Sequence, residues 1–193
     1  MSSMKKLSVL VAVFALCAIV AANASAAQFT STMGGPLEVK ANQAQVFMTA
    51  VGRLTCTGVK VTGTATLAGT SQHATVNYSG CVYDQGTFPF PAHVTPATYV
   101  FTAGDTGGAI NVHILNEITI TPTGAGCTIK IPPQTKGTVD YSSSAGQITL
   151  APNVSGITSQ GSGGFCGSTL THTGTYKGNV TVGVAGGSLS YHH

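Results

Sequence analysis

From Gln45 onward, apolar and polar residues alternate with a period of two in short runs broken by glycine and proline, and no apolar stripe of helical period occurs. That period places successive side chains on opposite faces of a strand. Val59, Val61, Ala65 and Leu67 are spaced by Lys60, Thr62, Thr64 and Thr66, and the runs HATVNYSG, TYVFTAG, AINVHIL, EITITPTG, CTIKIPP, GTVDYSS, QITLAPNVSG, TYKGNVTVGV and SLSYHH follow. Turn chemistry separates them: Gly34-Gly35-Pro36, Gly86, residues 104–108, Pro132-Pro133 and the glycine-rich stretch 159–167. The pattern predicts an all-β domain over residues 28–193. It is expected as an antiparallel β-sandwich of Greek-key or jelly-roll type, with a closed β-barrel as the alternative. Residues 31–44 are expected as an edge strand or a loosely held arm.

The first 27 residues read differently. Lys5 and Lys6 precede an apolar run from Leu7 to Ala22, and Ala24-Ser25-Ala26 supplies small residues for cleavage, the order of a signal peptide with its short helix. The run is shorter than the roughly 20 residues that span a bilayer. A secreted or envelope protein is expected, with no integral membrane anchor after cleavage, and Cys17 leaves with the signal. Without Lys5 and Lys6, six basic residues face five acidic ones. The six are scattered singly, so no basic face for nucleic acid is expected. Charged residues make up only 7% of the chain, against about 25% in an ordinary soluble domain, which leaves threonine, serine, asparagine and glutamine to keep the exterior wet.

Four cysteines remain after the signal, Cys56, Cys81, Cys127 and Cys166. An even number in an exported chain predicts two disulfides. Of the three pairings, Cys56 with Cys81 and Cys127 with Cys166 is favoured, because each pair brackets a hairpin-plus-strand unit. No C-x-x-C or H-x-H spacing supports a metal site, and none is expected.

The catalytic inventory is thin. The carboxylates are Glu38, Asp84, Asp105, Glu117 and Asp140, the imidazoles His73, His93, His113, His172, His192 and His193. There is no G-x-S-x-G, H-E-x-x-H or phosphate-cradling loop. Asp84 and Asp105 sit in glycine-bearing turns, where aspartate bonds its own backbone, while Glu117 and Asp140 read as surface charges and His93 and His113 as half-buried partners of backbone groups. No cofactor and no enzymatic activity are expected, and a hydrolase is the third reading of function. The stretch YSGCVYDQGTFPFPAH, residues 78–93, concentrates aromatics around a cysteine. Phe88 and Phe90 alternate with prolines and are expected to close the end of a core. Tyr78, Tyr83 and Asp84 are the candidate ligand contacts if the stretch binds sugar.

The segments TCTGVKVTGT, YSGC followed by FPFPAHV, TYVFT, CTIKIPPQ with GTVDYSS, VSGI, and GGFCG before GTYKGNVTV resemble a family of exported, uncharacterised actinobacterial proteins over most of residues 44–185. The resemblance implies export, disulfides and an all-β domain and no activity. Members often carry two further cysteines, where this chain has Ala97 and Leu115. The reading is therefore a secreted, disulfide-stapled β-protein with a structural or adhesive role at the cell envelope. The alternative is a module whose partner is a cell-wall or other extracellular glycan.

Overall fold

The structure, a computed structural model, describes residues 27–49, 51–86, 88–104 and 109–192. The export segment expected over residues 1–27 lies outside these except for Ala27, as do Asp105 and His193. The described chain is all-β, and every strand pairing in it is antiparallel.

The strands are β1 (Gln28–Ser31), β2 (Gly35–Ala41), β3 (Gln45–Met48), β4 (Arg53–Thr62), β5 (Thr64–Ala65), β6 (Ala68–Gly69), β7 (Ser71–Asp84), β8 (Pro89–Val94) and β9 (Ala97–Ala103). They continue with β10 (Ile110–Ile114), β11 (Ile118–Pro122), β12 (Thr128–Ile131), β13 (Gln134–Ser144), β14 (Gln147–Ala151), β15 (Asn153–Ser162), β16 (Thr169–Lys177), β17 (Val180–Val184) and β18 (Leu189–His192). Of the two architectures expected, the barrel is present. Strand pairing closes a ring of eight in the order β4, β3, β16, β15, β12, β11, β8, β7 and back to β4.

Two long strands of that ring, β4 and β7, extend beyond it. The far halves of β4 and β7 carry a second circuit through β9, β10, β13, β14, β17 and β2, which returns to β5, the continuation of β4 past Gly63. The β4–β7 ribbon thus belongs to both circuits. Its buried positions change phase by one residue midway: Leu54, Cys56, Cys81 and Tyr83 serve the first ring, whereas Val59, Val61, Val76 and Tyr78 face the second. The change falls at Gly58 and Gly80, which lie beside the ladder step between Cys56 and Cys81. Gly80 has φ of 58°, a left-handed conformation that glycine adopts without steric cost, and a side chain there would strike the Thr57 hydroxyl.

The first ring is filled. Leu54, Tyr83, Ile118, Ile120, Ile129 and Ile131 are essentially inaccessible, each such side chain contributing about 1.5–3 kcal/mol by leaving water. Both disulfides lie in it, in the sequential pairing expected. Cys56 and Cys81 face each other directly across the β4–β7 ladder, and Cys127 before β12 is bridged to Cys166 in the short 3₁₀ turn after β15. Two bridges suit an oxidising, extracytoplasmic setting.

The edge strand expected over residues 31–44 is present as β2, which pairs with β17 and, only at its start, with the two-residue β5. Two expectations are corrected. The glycine-rich stretch 159–167 is shorter as a loop than the composition suggests, since β15 runs on to Ser162 and pairs with both β12 and β16. Phe88 does not close the core: it precedes β8, is 67% exposed, and so escapes the alternation that turns Phe90 inward against the buried cluster.

Candidate functional site

The second circuit is hollow. Its inward residues enclose an apolar cavity of about 110 Å³. Nine valines line it (Val39, Val59, Val61, Val76, Val112, Val139, Val154, Val180 and Val182), with Phe101, Ile110, Ile148 and Leu150. Val39, Val59, Val61, Phe101, Val180 and Val182 remain only half-buried although they face inward, as a wall does when its inner surface meets space instead of another wall. Valine suits the pleated backbone but is short. Eight strands make an interior that side chains can just fill, so a lining of short ones leaves room.

Phe29 of β1 and Leu189 of β18 close one end. They belong to a small sheet, β18-β1-β6, in which Phe29 and Tyr191 are in ring contact at 5.0 Å, and Tyr191 ties it to the wall through the edge-on contact with Tyr141 at 4.7 Å and a hydroxyl that donates to the Ala109 carbonyl at 2.9 Å. The other end has an aromatic floor. Phe47 packs edge-on to Tyr78 at 5.3 Å and against Tyr176 at 4.5 Å, and the Tyr78 and Tyr99 hydroxyls share a hydrogen bond of 2.8 Å. The Tyr176 hydroxyl donates to Oε1 of the fully buried Gln45, whose amide nitrogen donates to the Gln43 carbonyl at 2.9 Å. Gly178 permits this, since any side chain there would occupy the space of the Gln45 amide. Burial pushes the Tyr99 phenol up to about 12 despite the opposing Tyr78 hydrogen bond, and burial raises Tyr78 and Tyr176 as well, reinforced by neighbouring phenols. All three stay neutral donors and acceptors at ordinary pH.

One side of the circuit has no continuous ladder. β2 meets the β4–β5 segment through the pairs Gly35–Ala65 and Pro36–Thr64 and the Leu37 amide donating to the Gly63 carbonyl at 2.9 Å. Among the described residues, no ladder joins the rest of β2 to β4, although the two run side by side. Val39 on β2 and Val59 and Val61 on β4, all three lining the cavity, lie on the two strands that flank this seam.

The residues singled out from the sequence are not brought together. Tyr78 forms part of the cavity floor, whereas Tyr83 is 1% exposed inside the filled ring, its hydroxyl 3.5 Å from that of Thr49. Asp84 lies at the end of β7, where its Oδ1 accepts the Gly86 amide at 2.7 Å, the self-bonded turn expected of it. Glu117 is held in an exposed ion pair with Lys130 at 2.8 Å. His113 bonds the hydroxyls of Thr102 and Thr135, each at 3.0 Å, on the outer wall, so its partners are side chains where backbone groups were expected. Among the described residues, no three His, Cys, Asp or Glu side chains gather where they could hold a metal ion.

Sequence reasoning missed the cavity lining and its two polar members, Gln72 and Lys136. The available signal was Gly137 within a strand-like run, a frequent mark of a bulge that re-aims its neighbours. No protein-family model, curated protein or solved structure matches the chain.

Proposed function

We propose that the chain is an exported binding barrel: the filled, disulfide-bridged ring is its scaffold, and the hollow circuit takes a small apolar ligand. The cavity is the observation that carries this reading. An apolar void of this order is otherwise a liability, since each wall atom facing empty space loses its dispersion partners, and engineered cavities of about 150 Å³ take up small aromatic molecules. The seam between β2 and β4 offers a way in that leaves the scaffold ring untouched. Export draws on the amino-terminal pattern and on the two bridges.

A structural or adhesive role at the envelope is the second reading. It draws on the exposed aromatics Phe88 and Phe165, 67% and 71% accessible, beside the Phe90–Phe165 contact at 6.3 Å. One pair of proteins separates the two. Wild type should bind benzene saturably, read from NMR shift changes of the wall residues, and Val182→Phe, which fills the cavity, should abolish this while unfolding at an equal or higher temperature. Absence of saturable binding by wild type sinks the binding reading. Retention of both proteins on purified cell wall would then favour adhesion.

A further inference from the structure

Among the residues lining the cavity, Lys136 alone carries a charge. Its direction follows from the register of β10 and β13. Ile110 faces Val139 and Asn111 faces Thr138, but Val112 faces Lys136, so Gly137 is an extra residue in β13. Without this bulge, strict alternation from Val139 would turn Gly137 inward, Lys136 outward opposite His113, and Thr135 inward. With it, Lys136 shares the inward face of the buried Val112, while Thr135 stays outside and meets the His113 ring. Among the described residues, no hydrogen bond or ion pair engages the Lys136 ammonium. A cation beside an apolar wall is stabilised by an anion placed next to it.

A second polar group lies in the same row. Gln72 faces Phe101, Phe101 faces Val112, and Val112 faces Lys136 across successive strands. Gln72 is 6% exposed, and its amide nitrogen donates to the carbonyls of Thr64 at 2.9 Å and His73 at 3.0 Å, which fixes the identity of the other end. That end, Oε1, is a buried acceptor with no protein partner. An acceptor cannot hold a carboxylate, so of the two polar members of this row only Lys136 can take an anionic headgroup.

We infer that the ligand is a small amphiphilic acid, its carboxylate paired with Lys136 and an apolar body of about six to eight carbons lying along Phe101, Val112 and Ile110. This rests on the binding-barrel reading and adds the headgroup to it. Charge-assisted pairing at the edge of an apolar cavity gives the acid an advantage over the alcohol of equal chain length.

Octanoate and 1-octanol, titrated into the oxidised, secreted protein by NMR, test it. Octanoate should bind about ten-fold more tightly than 1-octanol. Lys136→Met should abolish that preference while still binding the alcohol, and Lys136→Arg should retain it, which controls for misfolding. Equal affinities in wild type, or a preference that survives Lys136→Met, overturn the headgroup assignment and leave the cavity reading standing. If neither compound binds, the binding-barrel reading falls and the assignment with it.

Discussion

The two circuits share a ribbon and have equal numbers of strands, yet one is solid and the other hollow. In the first, isoleucine, leucine and tyrosine occupy the inward positions and two disulfides tie the wall. In the second, valine is the commonest inward residue, and there is no bridge among the described residues. Strand count sets the width of a barrel, and side-chain length decides whether that width is filled. The contrast separates labour within one sheet: stability is concentrated where packing and cross-links coincide, and space for a guest is kept where they do not.

The sharpest way to break this contrast is to weaken each half in turn. Cys56→Ala with Cys81→Ala should cost about 3–4 kcal/mol in urea unfolding, by restoring the freedom of the intervening loop to the unfolded chain. Val182→Ala in the hollow wall should cost under about 1 kcal/mol, because a half-buried valine facing space has few contacts to lose. A loss of about 2 kcal/mol or more for Val182→Ala would mean that this wall is packed like a filled core.

Alkali tests the aromatic floor of the cavity. Tyr99 ionises near 12 when folded, well above the ordinary phenol value of about 10, and Tyr78 and Tyr176 are raised too. Their contribution to stability is therefore complete below pH about 10 and is lost as pH climbs through the folded-state values. Tyrosinate absorbance should lag behind that of free tyrosine and rise together with unfolding, and Tyr99→Phe should lessen the pH dependence. Full ionisation near pH 10 with the fold intact would contradict the buried floor.

The smallest effect is expected at the surface of the scaffold ring. Phe88→Ala should change thermal stability by no more than about 0.5 kcal/mol, as at other exposed positions without special contacts. A loss of several kcal/mol would place Phe88 in the core.

Much of the fold could be read from one dimension. Alternation in HATVNYSG, EITITPTG and QITLAPNVSG specifies strands, because a half-buried strand must be apolar on every second residue. The even cysteine number and its bracketing of hairpins anticipated both bridges, one of which turned out to join residues directly opposed on a ladder. Asp84 in its turn was likewise readable, since its hydrogen bond reaches only two residues along the chain. Tyr78 and Tyr83 show where such reading stops: five residues apart on one strand, strict alternation would put them on opposite faces, yet the phase change at Gly80 turns both inward, into different interiors.

Period-two patterning, turn residues and cysteine spacing are local, and they determined that this chain is built of antiparallel strands and stapled twice. Which strands share a wall, where the buried face of β4 and β7 shifts phase, and that Gly137 turns Lys136 into a cavity were decided only in three dimensions. Each depends on the register between segments far apart in the chain, and a one-residue change in register reverses which side chains face inward.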